Sequence, residues 1–184
     1  YEPFTGIPTG SIALDWALGE RGLPRSNFTI ISGYPGSGKS TIGKLIGIEA
    51  VKNGLSVAII DAERRWNVEH AFTSGMGKPF EDYFFVRPAS QEQALNLLTL
   101  FIRKNVDYVL LDSTAALLPE TEANSEIEDQ QRGLQARIFG KFFRRVMREL
   151  AVSKTAVLLI NQVRDSMTPY AAFTRPGGKT LEFY

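Results

Sequence analysis

The residues from 33 to 41 have the types and spacing that bind phosphate. Gly33, Tyr34, Pro35, Gly36, Ser37, Gly38, Lys39 and Ser40 fit the pattern G-x-x-x-x-G-K-[ST], and Thr41 follows them. Glycines let backbone N–H groups curl around phosphate oxygens, the lysine reaches the β- and γ-phosphates, and the Ser40 hydroxyl is placed to bind Mg²⁺. An apolar strand before the pattern and a helix after it favour an ATP and Mg²⁺ site over a chance glycine-rich turn.

Polar side chains end three other apolar runs. The run 108–111 leads to Asp112, the pattern of a carboxylate that positions Mg²⁺, although a turn or helix cap gives the same pattern. Glu63 follows the run that ends at Asp61 and is either a general base for water or a solvated residue at a helix start. Gln162 is either a γ-phosphate contact or a loop cap. Because strand ends at one edge of a parallel sheet converge, these groups are expected to meet the phosphate loop.

These groups need strands and helices to position them. Apolar β-branched runs alternate with helical patterns, which predicts an α/β fold with a mostly parallel sheet flanked by helices. The expected strands are 28–32, 56–61, 83–86, 107–112 and 155–162, and the expected helices are 11–18, 39–53, 67–74, 90–104 and 131–152. Two stretches, 119–130 and 163–179, fit neither pattern and are expected to be functional loops.

The overall composition restricts the class of protein. The chain has 184 residues, of which 43% are hydrophobic and 22% charged, as is typical of one globular domain. The net charge of +1 argues neither for nor against nucleic-acid binding, so any such binding must be inferred from local clusters of basic residues. The absence of cysteine excludes disulfides and thiolate metal sites. No apolar run could span a bilayer and no export signal opens the chain, so a cytoplasmic protein is expected. Because the chain begins with Tyr1, we expect one domain over 1–184 that is a fragment of a longer protein.

Several further segments carry a resemblance to a known family. They are Thr9-Gly10-Ser11-Ile12-Ala13-Leu14-Asp15, Gly22-Leu23-Pro24, Asp61-Ala62-Glu63, Asp112-Ser113, Glu126-Ile127, Gly133-Leu134, Asn161-Gln162-Val163-Arg164, Gly177-Gly178 and Phe183-Tyr184. In this order and spacing, the chain resembles the ATPase core of bacterial RecA recombinases. The resemblance implies a P-loop NTPase fold of the RecA type and hydrolysis of ATP with Mg²⁺. It also implies a filament on single-stranded DNA that pairs with homologous duplex DNA and exchanges strands in recombination and repair.

The resemblance also implies roles for single residues. Glu63 matches the family's catalytic glutamate, and Gln162 matches the glutamine that couples the γ-phosphate to a DNA-binding loop. His70 stands where the family usually has a tyrosine stacked on adenine, and Asn67 stands at a usual aspartate that reads the base. An imidazole can still stack and an amide can still hydrogen-bond. The segment 64–66, Arg-Arg-Trp, is bulkier than the family norm.

The two irregular stretches match the family's two DNA-binding loops. In the helix after the first loop, four basic residues at i, i+4, i+7 and i+11 share one face: Arg137, Lys141, Arg144 and Arg148. This stripe is either a phosphate-binding surface or a solvated helix face, and Arg137 and Arg144 match basic positions near the family's DNA site. In the first loop, Arg132 stands where the family has an apolar residue that wedges between bases, and it is expected to contact DNA. In the second loop, Arg164 and Arg175 are expected to contact phosphates and Phe173 to pack against bases.

The expected reaction uses four of these residues. Lys39 stabilises the charge that develops on the phosphates, Glu63 activates water, and Ser40 with Asp112 holds Mg²⁺. The family assembles filaments with ATP at the subunit interface, so self-association is expected as well. Two alternatives stay open: a RecA-like paralogue or clock-type regulatory ATPase without strand exchange, and a non-catalytic filament or scaffold subunit in which the nucleotide is structural.

Overall fold

A five-stranded parallel sheet forms the centre of the molecule. The computed structural model describes residues 6–19, 22–123, 134–165 and 173–174. The sheet has the order β1-β5-β4-β2-β3 and consists of β1 (Asn27–Gly33), β2 (Val57–Asp61), β3 (Phe84–Val86), β4 (Tyr108–Asp112) and β5 (Ala156–Gln162). The five predicted strands are confirmed to within one residue at each end, because each is a short apolar run; the three central strands β2, β4 and β5 are buried almost throughout.

Helices cover both faces of this sheet. In the described parts of the chain they are α1 (Ile12–Ala17), α2 (Lys39–Lys52), α3 (Val68–Ala71), α4 (Gln91–Arg103), α5 (Glu120–Ala123) and α6 (Leu134–Val152). The predicted start of the last helix at 131 lies outside the described residues. None of the described helices combines the length and the apolar composition that crossing a membrane requires.

Three local predictions were wrong. The helix expected over 67–74 stops early: α3 ends at Ala71 and gives way to a π-type turn over Phe72–Met76, in which Gly75 leaves helical backbone with φ +94°. The first stretch expected to be irregular contains α5. The second contains a short antiparallel pair, β6 (Arg164–Asp165) with β7 (Phe173–Thr174). Elements of two to four residues are too short to give a periodic signal in the sequence.

Two apolar clusters hold the layers together, one on each face of the sheet. On one face α4 and α6 pack on the strands, and the rings of Phe28 and Phe143 meet edge to face with centroids 5.0 Å apart. On the other face α2 packs against β4 and β5. A Cβ atom added to Gly43 of α2 would lie 2.9 Å from Leu110, so glycine at this position allows the helix to approach the sheet closely.

The strand register brings the predicted site residues to one edge. Gly33 of β1 is opposite Gln162 of β5, and Asp61 of β2 is opposite Asp112 of β4. All four therefore lie at the carboxyl edge of the sheet, where α2 also begins. This is the edge at which ligands bind in open α/β sheets.

Candidate nucleotide site

The loop between β1 and α2 forms one wall of the site. Gly38 precedes α2 with φ +88°, a left-handed conformation that glycine adopts without strain. The Lys39 ammonium folds back over the loop, donates to the backbone oxygen of Tyr34 at 2.7 Å and lies 3.4 Å from Ser37 Oγ. The free N–H groups of the first turn of α2 add positive potential. The loop therefore presents backbone donors and one cation to an anionic group.

A cavity of about 300 Å³ opens beside this loop. Nine residues predicted from the sequence line it: Pro35, Gly36, Gly38, Lys39, Ser40, Thr41, Glu63, Asp112 and Gln162. Gly33, Tyr34 and Ser37 belong to the same loop but do not line the cavity. Four further lining residues, Lys44, Arg65, Trp66 and Ile160, were not predicted. The only sequence signal for two of them was the unusual bulk of the segment 64–66.

Asp112 is a buried carboxylate with an unused oxygen. Its Oδ1 has no hydrogen-bond partner within the described residues, while the Ser40 hydroxyl binds the carboxylate. Burial, together with the charges of Glu63 and Asp61, raises the pKa of Asp112 to about 6, even though Ser40 and Lys39 act in the opposite direction. A serine hydroxyl beside a partly satisfied carboxylate fits Mg²⁺, which in nucleotide sites takes few protein ligands besides phosphate and water. The described residues contain no group of three or more His, Cys, Asp or Glu side chains suited to a metal.

Glu63 lies in a turn after β2 that is tied to the end of β4. The N–H groups of Ala62 and Glu63 donate to the backbone oxygen of Asp112 at 2.7 and 3.1 Å. The Ser113 hydroxyl donates to Glu63 Oε1 at 3.0 Å, and the side-chain amide of Gln162 donates to the same oxygen. The structure therefore brings Glu63 and Gln162 together from two different strands, beside the lysine of the loop.

Asp61, which sequence reasoning did not assign to the site, fixes the rest of this turn. Its carboxylate accepts hydrogen bonds from the N–H groups of Arg65 at 3.1 Å and Trp66 at 3.2 Å. Arg87 clamps the same turn, with Nε 3.0 Å from Asp61 Oδ2 and Nη2 3.1 Å from the backbone oxygen of Trp66. These bonds hold Arg65 and Trp66 at the cavity wall.

Asn67 and His70, predicted to contact the base, lie next to the cavity but do not line it. Asn67 Oδ1 accepts the His70 N–H at 2.8 Å and thereby caps α3. The Lys44 ammonium lies 3.2 Å from His70 Nδ1 and 5.2 Å from the centroid of the Trp66 ring. His70 thus contacts a cavity-lining residue, Lys44, but not the cavity itself, and base recognition by His70 and Asn67 stays a prediction.

The basic residues of α6 that were predicted to bind DNA do not line the cavity. Arg137, Lys141, Arg144 and Arg148 are exposed along α6, whereas the opposite face of that helix is buried through Phe139, Phe142, Phe143, Val146 and Leu150. Gln135 ties the start of α6 to the segment after β4, because its Nε2 donates to the backbone oxygens of Thr114 at 3.1 Å and Leu117 at 2.8 Å. Arg132 and Arg175 lie outside the described residues. For Arg164 and Phe173 the structure describes only the backbone pairing of β6 with β7.

The sheet order, the phosphate loop between β1 and α2, and the strand-end carboxylates place the fold in the P-loop NTPase class with a RecA-like core. The family model described as the RecA N-terminal domain matches residues 2–184. The chain therefore belongs to the RecA N-terminal domain family.

Similar proteins support the same assignment. The chain is 38% identical to Protein RecA of Rhodopirellula baltica over 97% of its length and 48% of the relative's. It is 40% identical to Protein RecA of Thermus thermophilus, over 97% of this chain and 53% of that relative. It is 39% identical to Protein RecA of Fusobacterium nucleatum, over 97% of this chain and 47% of that relative. The chain thus spans about half the length of the curated relatives it matches.

Proposed function

We propose that residues 1–184 form a single ATPase core of a RecA-type recombinase. The protein hydrolyses ATP with Mg²⁺, forms a filament on single-stranded DNA, and pairs that strand with homologous duplex DNA. A recombinase acts on chromosomal DNA, so its proposed location is the cytoplasm. The observation that carries the ATPase part is the meeting of Glu63, Gln162, Lys39 and Asp112 around one cavity at the carboxyl edge of the sheet.

Each of these side chains has a proposed task in hydrolysis. A water oxygen attacks the γ-phosphorus, the bond to the bridging β,γ-oxygen breaks, and ADP and phosphate leave, while Glu63 accepts the proton of the water. Lys39 neutralises the charge that develops on the phosphate oxygens. Ser40 and Asp112 would hold Mg²⁺, which supplies further positive charge to the β- and γ-oxygens when it is bound.

The contact between Gln162 and Glu63 supports a link from this reaction to DNA. Gln162 ends β5, and only Val163 separates it from β6; the Val163 N–H donates to the backbone oxygen of Gly33 at 3.0 Å. A γ-phosphate that takes the amide of Gln162 away from Glu63 therefore pulls on the strand that leads into the second loop. The exposed basic face of α6 supports binding to DNA phosphates.

ATP hydrolysis by the whole protein, with and without single-stranded DNA, tests the proposal. Glu63→Gln should lower turnover by about 10²- to 10⁴-fold while retaining binding of a fluorescent ATP analogue, since it removes the base but keeps the size. Lys39→Ala should lose most of that binding. Glu69→Gln, at an exposed position of α3 away from the cavity, is the matched control and should leave both unchanged.

Two results would contradict this function. Unchanged turnover in Glu63→Gln would remove Glu63 from the chemistry. A wild-type rate that does not respond to single-stranded DNA, together with no exchange of strands between homologous molecules, would favour a regulatory ATPase of the same family.

A further inference from the structure

Arg65 lines the nucleotide cavity and has no task in the reaction described above. It shares the cavity wall with Lys39, Glu63 and Gln162. Its Nη1 lies 3.7 Å from Glu63 Oε2, and its side chain is 81% exposed. An ion pair this long at an exposed position contributes little to stability, so the guanidinium can leave Glu63 at low cost.

The other cations at this edge are more firmly engaged. Lys39 donates to the backbone oxygen of Tyr34 at 2.7 Å. Lys44 lies over the ring of Trp66 and close to His70, and Arg87 is paired with the buried Asp61 at 3.0 Å. Arg65 is therefore the cavity-lining cation of the described chain that is best placed to turn towards an incoming anion.

The backbone beneath Arg65 is nevertheless fixed. Its N–H is bound to Asp61, and the next residue, Trp66, is buried and held by both Asp61 and Arg87. A fixed backbone with a weakly paired guanidinium keeps the cation at the cavity mouth without committing it to one partner. The planar fork of a guanidinium also matches two oxygens of a phosphate group.

We propose that Arg65 is a catalytic arginine that acts within its own subunit by binding the γ-phosphate of the nucleotide. The inference rests on the proposed hydrolysis of ATP. Arg65 moves from Glu63 to the γ-phosphate oxygens, neutralises the charge that develops as the bond to the bridging oxygen breaks, and frees Glu63 Oε2 to accept the proton of the attacking water. Arg65 itself neither gains nor loses a proton. Arginines supplied in the same chain serve this purpose in some other P-loop NTPases.

The test compares affinities for Mg²⁺–AMP-PNP and Mg²⁺–ADP in the whole protein, measured by calorimetry, with single-turnover hydrolysis of ATP. Loss of a group that binds only the γ-phosphate lowers the affinity for AMP-PNP, which has a γ-phosphate, and leaves the affinity for ADP unchanged. Arg65→Met should lower the affinity for AMP-PNP relative to ADP by about tenfold and slow hydrolysis by at least roughly 100-fold, whereas Arg65→Lys should keep part of both. Arg64→Met is the matched control, because the neighbouring Arg64 is exposed and lines a different cavity. Arg64→Met should change neither the relative affinity for AMP-PNP and ADP nor the rate of hydrolysis.

Unchanged relative affinity in Arg65→Met would overturn the assignment. If hydrolysis nevertheless slowed, Arg65 would act only on Glu63, and if hydrolysis were also unchanged, Arg65 would have no role in the site. A failure of the proposed function looks different: wild-type protein would bind neither nucleotide, or Lys39→Ala would bind both as well as wild type does. The retained affinity of Arg65→Met for ADP shows that the variant is folded.

Discussion

Two aspartates flank the same central strand and have opposite surroundings. Asp107 precedes β4 at the amino edge of the sheet and Asp112 ends it at the carboxyl edge. Asp107 is bound by the Arg25 guanidinium at 2.8 Å and by the N–H and hydroxyl of Ser56 at 3.0 and 2.8 Å. Burial raises its pKa, but these bonds outweigh that effect and hold the pKa of Asp107 below its ordinary value. At Asp112, burial prevails and the pKa rises to about 6.

This difference separates the amino edge, which is structural, from the carboxyl edge, which is open to a ligand and is called the open edge below. At the amino edge, the negative charge of Asp107 is neutralised and hydrogen-bonded by Arg25 and Ser56 of the same chain. At the carboxyl edge, Asp112, Glu63 and Asp61 lie near one another, and among the described residues one oxygen of Asp112 has no hydrogen-bond partner. An unpaired buried carboxylate costs stability, and sites that bind cations and phosphates commonly carry such a cost until the ligand arrives.

The largest expected effect comes from exchanging the carboxylate at the open edge. Asp112→Asn should lower the affinity for Mg²⁺–ATP by roughly 100-fold or more, because loss of even a group that only orients a metal ligand costs about 10- to 100-fold. Titration of a fluorescent ATP analogue with and without Mg²⁺ measures the loss. Asp107→Asn should leave this affinity within about twofold, since its partners lie at the opposite edge. Equal losses in the two variants would show that the edges are not independent.

The pH dependence of stability should differ between the same two positions. Because the pKa of Asp112 is raised in the folded protein, its folded state prefers the proton, so this contribution to stability is full below about pH 4 and is lost as the pH rises through about 6. Without metal, wild type should therefore lose up to about 3 kcal/mol relative to Asp112→Asn between pH 4 and 7. Urea denaturation in EDTA at several pH values measures the difference. Asp107, with its lowered pKa, should give the opposite trend. A difference between wild type and Asp112→Asn that does not change with pH would contradict the raised pKa of Asp112.

Much of the open edge could be predicted from the sequence. A glycine-rich pattern between an apolar strand and a helix leaves few alternatives, and parallel strands deliver their last residues to one edge. This was enough to expect Lys39, Glu63, Asp112 and Gln162 near one another. It was not enough to show which partners they have, because the bonds from Ser113 and Gln162 to Glu63 depend on how two distant turns fold.

The cavity wall could not be predicted in the same way. Trp66 and Arg65 reach it because Asp61, at the end of β2, binds the backbone N–H groups of both, and Arg87, directly after β3, binds Asp61 and the backbone oxygen of Trp66. No spacing in the sequence encodes that clamp. Asn67 is used to cap a one-turn helix, and such short elements leave no periodic pattern. The base contacts that the family resemblance implies for His70 and Asn67 therefore stay predictions.

A smaller effect is expected at the amino edge of the sheet. Asp107→Asn removes the charge that pairs with Arg25 and should lower the free energy of unfolding by about 2 kcal/mol at pH 7, the size expected for hydrogen bonds to a charged group. Urea denaturation measures this as a lower midpoint with an unchanged slope. Glu81→Gln, which disturbs only an exposed pair with Lys78, is the control and should not move the midpoint. A loss of Mg²⁺–ATP affinity without a loss of stability would reverse the roles assigned to the two edges.

The smallest expected effect lies between the two edges, at Tyr108. Its hydroxyl is buried and donates to the backbone oxygen of Gly43 at 2.9 Å, which joins the first residue of β4 to α2. Tyr108→Phe keeps the ring and removes this bond, so stability should fall by about 1 kcal/mol. Helix α2 begins at Lys39, four residues before Gly43, but Lys39 is held to the phosphate loop by its own bonds to Tyr34 and Ser37, so nucleotide affinity should stay within about twofold. If Tyr108→Phe changed the nucleotide affinity by more than it changed the free energy of unfolding, the position of α2 on β4 would control nucleotide binding at the carboxyl edge.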